Sequence, residues 1–208
     1  MNIIETCEQG SPEWLSMRLG KVTASRMSDV LSKGRGSSPS KVAESYMMEL
    51  LAERLTGQSK PFFENDAMRW GTETEPQARS MYEVNNDFVS VREVAFVEHN
   101  EFIGISPDGM IGDDGLLEIK CPTTITQVKR ALSDNYAKDY YTQIQCQLWV
   151  TERQWCDFVS FDPRIDCAAG YLQQRVQRDE EFIESMKEKT YSFVGKMNEL
   201  YEQLTTKE

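Results

Sequence analysis

The run SPDGMIGDDGLLEIKCP, residues 106–122, constrains the fold more than any other part of the chain. Side chains alternate along a strand, so LLEIK sets Leu117, Ile119 and Cys121 on one face and Glu118 and Lys120 on the other. Upstream, FIGIS (Phe102 to Ser106) has strand character, and GDDG (Gly112 to Gly115) supplies turn chemistry. The pattern predicts a hairpin of these two strands, in which Asp108, near the end of the first, comes beside Glu118. Two carboxylates and an ammonium then crowd together.

Like charges held so close repel unless a cation lies between them. Carboxylate oxygens suit magnesium or manganese, hard ions that keep several waters and use few protein ligands. Lys120 beside such an ion can help deprotonate a water or stabilise negative charge on a phosphate. Taken alone, Glu118 and Lys120 would read as a solvated pair on a strand. The Ser-Pro-Asp-Gly run before them turns the reading towards chemistry.

At 208 residues the chain can bury one sizeable core, and a single domain over residues 1–208 is expected. No apolar run is long enough to span a membrane, and MNIIETCEQG lacks a signal peptide's basic start and apolar centre, so a cytoplasmic protein is expected. Five cysteines without a C-x-x-C pair disfavour a disulfide framework and a zinc site, and predict reduced, mostly buried thiols. The single His99, in a predicted turn within VEHNEF, excludes a histidine-rich metal cage. A net charge of −11 argues against general attraction to nucleic acid, unless Arg and Lys are gathered along a channel.

SKGRGSSPS, residues 32–40, reads as a mobile surface loop. A short helix precedes it, and a longer one opens at Pro39 and closes at Gly57. A third helix is expected over Thr74 to Val84, with Thr74 and Gln77 as a capping box and Pro76 in its first turn. Strands follow at Phe88 to Val97, Phe102 to Ser106 and Leu116 to Cys121, then helices at Thr124 to Leu132 and Ala137 to Val150. Two more strands, near Trp155 to Phe161 and Gly170 to Val176, precede an amphipathic helix at about 180–206 with Phe182, Ile183, Met186, Phe193, Val194, Met197, Leu200, Tyr201 and Leu204 on one face. The order predicts an α/β fold with a mixed sheet.

WLSMRLGKVTAS (Trp14 to Ser25), MRWGTETEPQAR (Met68 to Arg79), ISPDG with LLEIKCP, YTQIQCQLWVT (Tyr141 to Thr151) and FDPR (Phe161 to Arg164) together resemble the phage lambda exonuclease family. That family is a branch of the PD-(D/E)xK, restriction-endonuclease-like superfamily, and the blocks stand in family order over most of the chain. The resemblance implies a central mixed sheet flanked by helices, whose second and third strands carry the metal site. It implies that Asp108 and Glu118 bind magnesium, two ions per site, with the Ile119 main-chain carbonyl as a further ligand and manganese as an alternative ion. Lys120 becomes the catalytic lysine and Glu75 the acidic residue that completes the site, although a first-turn glutamate is also favoured by a helix dipole.

The resemblance further implies digestion of one strand of duplex DNA, 5′ to 3′, from a 5′-phosphorylated end, with Arg18, Ser25, Ser106 and Gln143 at the phosphate. Such donors suit an anion. Gln147 shares a helix face with Gln143, whereas Gln145 faces elsewhere. A processive homotrimeric ring, DNA contacts by Arg35 and Met68, and delivery of the 3′ strand to a single-strand annealing recombinase in phage recombination are implied likewise. Asp66 departs from the basic character expected near the DNA. Two alternatives stand beside this reading. One is a RecB-like or iron–sulfur nuclease, of which the iron–sulfur version alone needs clustered cysteines, too widely spaced here; the other is a noncatalytic DNA-end-binding module, although such modules usually lose a ligand or the lysine.

Overall fold

The computed structural model describes residues 1–34, 40–59 and 65–206. Arg35 and Pro39 lie outside them, as does most of the predicted loop. Strand β1 (Asn2–Ile4) leads to α1 (Pro12–Arg18), capped by Ser11, whose hydroxyl accepts the Trp14 N–H at 3.2 Å. Strand β2 (Val22–Thr23) and a 3-10 turn (Ala24–Arg26) run into α2 (Met27–Leu31). Helix α3 (Lys41–Thr56) buries Tyr46, Met47, Leu50 and Leu51, and Gly57 ends it at φ +66°, a left-handed conformation cheap only for glycine.

Helix α4 (Asp66–Asn85) begins at Asp66 and not at Thr74. Its cap is Asn65, which accepts the Met68 N–H at 2.9 Å; Thr74 is buried in mid-helix and Pro76 lies inside the helix. An interior proline removes one helical hydrogen bond. Packing of Ala78 and Tyr82 against the sheet keeps the helix continuous across it.

The predicted strand Phe88 to Val97 is two strands in two sheets: β3 (Val91–Arg92) and β4 (Phe96–Glu98). Val94, Ala95, Phe96 and Val97 are all buried, which a one-sided strand cannot achieve, and the chain changes sheets between Arg92 and Phe96. Strand β5 (Ile103–Ile105) lies within FIGIS, but its partners are β4, antiparallel, and β2, parallel. The predicted pairing of FIGIS with LLEIK is therefore corrected. The hairpin is made by β6 (Gly109–Ile111) and β7 (Gly115–Lys120), with Gly109 opposite Leu117 and Ile111 opposite Gly115. Pro107, without an N–H, separates β5 from β6 and lets each enter a different sheet.

Helix α5 (Thr124–Ala131) and helix α6 (Tyr141–Thr151), the latter entered through a 3-10 turn from Lys138, bridge β7 to its parallel neighbour β8 (Trp155–Phe161). Strand β9 (Tyr171–Gln177) pairs antiparallel with β8 and leads to α7 (Glu180–Thr205). The larger sheet is thus mixed, ordered β3-β6-β7-β8-β9, beside a four-stranded sheet ordered β1-β4-β5-β2. On one face of the larger sheet Leu117, Ile119, Val159 and Phe161 meet Ala78 and Tyr82 of α4. On the other, Leu116 and Phe158 share a core with Ile144 and Leu148 of α6 and Ile183 and Met186 of α7, whose predicted apolar face is packed apart from Leu204. Each such side chain contributes roughly 1.5–3 kcal/mol when buried. Strand β7 is covered on both faces, so Glu118 is 0% exposed and not a solvated edge residue.

Candidate active site

Asp108 immediately precedes β6, and the hairpin register carries it opposite Glu118. Its Oδ2 accepts the Ile119 N–H at 2.6 Å. The same register sets Pro107 opposite Ile119, and a proline has no N–H to offer the Ile119 carbonyl. That carbonyl is directed to the same strand edge as its N–H, the edge where Asp108 stands. Gly109 is required here by close packing, since a Cβ would lie 2.3 Å from Val91 Cγ1.

Glu118 accepts hydrogen bonds from three side chains. Lys120 Nζ and Gln143 Nε2 donate to Oε1, the latter at 2.6 Å, and Gln147 Nε2 donates to Oε2 at 2.7 Å. Gln145 turns away, donating to the Gln177 carbonyl and accepting the Asp179 N–H, as its helix position predicts. Burial and then the Glu118 charge raise the Asp108 carboxyl well above its ordinary value, with Lys120 opposing. Burial alone would lower Lys120, but Glu118 and Asp108 outweigh it and raise the ammonium's pKa. Glu75 on α4 is also raised, by burial, against the opposing charge of Arg79. Arg79 donates to Glu75 at 2.6 Å and to the Asp108 carbonyl at 3.3 Å, tying α4 to the start of β6, and pairs with Glu93 at 2.9 Å.

The four residues expected at a phosphate, Arg18, Ser25, Ser106 and Gln143, line one cavity of about 180 Å³ together with Gln9, Trp14 and Ala24. Arg18 lies over the Trp14 ring at 4.1 Å, and the Trp14 indole donates to Ser106 Oγ at 2.9 Å and to the Ala95 carbonyl at 3.1 Å. Arg18 reaches Ser106 Oγ at 3.5 Å and has no carboxylate in an ion pair among the described residues. Burial lowers its pKa, against the opposing charges of Tyr46 and Glu53. A guanidinium so placed could receive an anion. Met68 lies on the first turn of α4, 39% exposed, and Asp66 is paired with Arg69 at 3.6 Å.

Gln9, Trp14, Arg79 and Gln147 were not assigned roles from sequence. The Trp14 to Arg18 spacing of one helical turn was the available signal for the stacked pair; nothing local marks Gln9, whose amide donates to the Val94 and Pro107 carbonyls at 3.0 Å.

Among the described residues no three His, Cys, Asp or Glu side chains are gathered to hold a metal ion. Glu75 engages Arg79 instead. What is gathered is a carboxylate pair beside a main-chain carbonyl without a proline donor, a small all-oxygen set that fits a magnesium ion keeping most of its waters.

A mixed sheet bearing this hairpin, flanked by helices, is a nuclease fold. The crystal structure of an alkaline exonuclease from Laribacter hongkongensis matches with a TM-score of 0.86 at 38% identity, covering 94% of this chain and 96% of that one. The structure of that enzyme in complex with dAMP matches at 0.85 and 39%, covering 93% and 96%. A phage-related exonuclease from Haemophilus somnus shares the fold at 0.71 and 22% identity, covering 89% and 95%. The chain belongs to the YqaJ-like viral recombinase domain family, whose profile matches residues 13–154. It is also 30% identical over 167 residues, 73% of its length, to an uncharacterised protein of Acanthamoeba polyphaga mimivirus, and spans 29% of that protein's length. Among the described residues no helix is long and apolar enough to cross a membrane.

Proposed function

We propose that this chain is a magnesium-dependent exodeoxyribonuclease, with manganese able to replace magnesium, that digests one strand of linear duplex DNA 5′ to 3′ from a 5′-phosphorylated end. One observation carries the reading. Gln143 lines the cavity of Arg18, Ser25 and Ser106 and also donates to Glu118, so an anion seat and the carboxylate pair are joined through one side chain. A terminal phosphate on Arg18 would hold the chain end at a fixed offset from Asp108, Glu118 and Lys120, converting end binding into positioning. Likeness to the Laribacter alkaline exonuclease supports the reaction class.

Asp108, Glu118 and the Ile119 carbonyl would hold the ions, two per site. When bound, such ions supply the Lewis acidity that phosphodiester hydrolysis needs. Lys120, which donates to Glu118 at the edge of the carboxylate pair, would serve as a cationic donor to charge building on the phosphate. Arg18 and Ser106, held by Trp14, orient the terminal phosphate. A ring of three chains would retain duplex topologically, which reconciles a net charge of −11 with a DNA substrate. The 3′ strand so exposed would pass to a single-strand annealing protein.

The test is release of mononucleotides, with magnesium, from end-labelled duplexes carrying either a 5′-phosphate or a 5′-hydroxyl, with the assembly mass measured alongside. Faster digestion from the phosphorylated end and a mass of three chains are expected. Retarded DNA without released nucleotides would replace this reading with that of a noncatalytic end-binding module.

A further inference from the structure

Two glutamines one turn apart on α6 hold the two oxygens of one carboxylate, and they differ in what else they touch. Gln143 borders the cavity of Arg18, Ser25 and Ser106, so it can give its second N–H to an anion there. Gln147 is 0% exposed and lines no part of that cavity. Its Nε2 donates to Glu118 Oε2, and its Oε1 is buried without a hydrogen-bond partner.

That orphaned oxygen is informative. A buried, unpaired amide oxygen is destabilising, and an apolar side chain of similar volume would avoid that cost. Packing therefore does not account for a glutamine at this place; its donor does. The orientation of the amide follows from its partner, because turning it over would set its oxygen against Glu118 Oε2 and forfeit the hydrogen bond its Nε2 donates there. The load on Glu118 is also uneven. Oε1 is shared by Lys120 and Gln143, both groups that face the reacting phosphate in the nuclease reading, while Oε2 depends on Gln147 alone.

We propose that Gln147 is a positioning residue that holds the Glu118 carboxylate in place independently of the phosphate cavity, leaving Gln143 free to serve a terminal phosphate. The inference rests on the nuclease reading for its kinetic arm and on the residues alone for its binding arm. It divides two look-alike amides into an end-sensing one and a carboxylate-holding one.

Gln147→Met keeps the volume and removes the donor, and Gln147→Leu is a second apolar replacement; Gln143→Met is the contrast. Manganese binding without DNA is followed by electron paramagnetic resonance, well below each variant's melting transition. Turnover is measured on 5′-phosphorylated duplex. Both Gln147 variants are expected to bind manganese roughly tenfold more weakly and to lose roughly tenfold in kcat, with KM for the duplex changed less than about twofold. Gln143→Met is expected to raise KM for phosphorylated ends and to narrow their advantage over hydroxyl ends. Gln147 variants that bind manganese as tightly as the wild type, or that reproduce the KM effect of Gln143→Met, would overturn the proposal. If the wild type itself releases no nucleotide, the nuclease reading fails, and the manganese arm still decides whether Gln147 holds Glu118.

Discussion

Glu118 and Asp157 sit in neighbouring strands, and both are 0% exposed, yet they are treated in opposite ways. Asp157 has a guanidinium of its own: Arg175 donates to both oxygens at 2.8 Å, joined by the Tyr82 hydroxyl at 2.8 Å and the Gln173 amide at 3.4 Å. Burial, then the hydrogen bond to Asp157, pushes the Tyr82 hydroxyl well above its ordinary range, so it remains a donor. Glu118 has one ammonium, shared electrostatically with Asp108, and Glu75 adds to the negative field. The comparison separates a carboxylate compensated by a guanidinium of its own from one that shares a single ammonium with a second acid, the arrangement on which the proposed cation site rests.

The largest effect that tests this contrast is on turnover. Lys120→Ala should lower kcat roughly 10²–10³-fold, with the melting temperature little changed, as nucleotide release and thermal denaturation would record. Asp157→Ala should do the reverse. It leaves the buried Tyr82 hydroxyl without its acceptor and should cost about 1–3 kcal/mol in denaturant unfolding, while activity per folded molecule stays near the wild-type value. Should Asp157→Ala fold stably and lose turnover, the division between the two carboxylates is wrong.

Arg18→Ala should reduce the preference for 5′-phosphate over 5′-hydroxyl ends roughly ten- to a hundredfold, the value of one or two charge-assisted hydrogen bonds, read as a ratio of kcat/KM. The smallest expected effect has the opposite sign. The folded-state pKa of Asp108 is raised, so its ionised form opposes folding near neutral pH, and stability returns as pH falls through the raised value. Asp108→Asn, which can still accept the Ile119 N–H, should therefore melt roughly 2–4 °C higher than the wild type without divalent ions. The gap should close on acidification, and the variant should be inactive. An unchanged melting temperature at neutral pH would show that Asp108 carries no surplus charge.

Much of the site was legible because its signals are local. LLEIK states its own alternation, Asp108 is bound to the hairpin by a short turn, and Gln143 and Gln147 share a helix face by spacing alone. The pairing partner of β7 was not legible. FIGIS and GMI are both strand-like and only Ser106, Pro107 and Asp108 lie between β5 and β6, so the sequence could not say which of them crosses to which sheet. Thr74 and Gln77 imitated a helix start because a capping pattern is short and Pro76 fits a first turn, whereas the cap is Asn65, nine residues earlier. The Tyr82–Asp157–Arg175 network left no mark, since its members are far apart in the chain and become partners only when α4 lies on the sheet.

What the amino-acid order determined by itself is which candidate groups stand close together: an acid before β6, an acid and a lysine on β7, and an arginine one helical turn from a tryptophan. Tertiary structure decided their charge state and company. Covering β7 on both faces removed Glu118 from water, and bringing α6 over it placed one amide on each carboxylate oxygen. Periodicity is written in neighbouring residues, but desolvation is a property of what is packed on top, and no short stretch of sequence contains it.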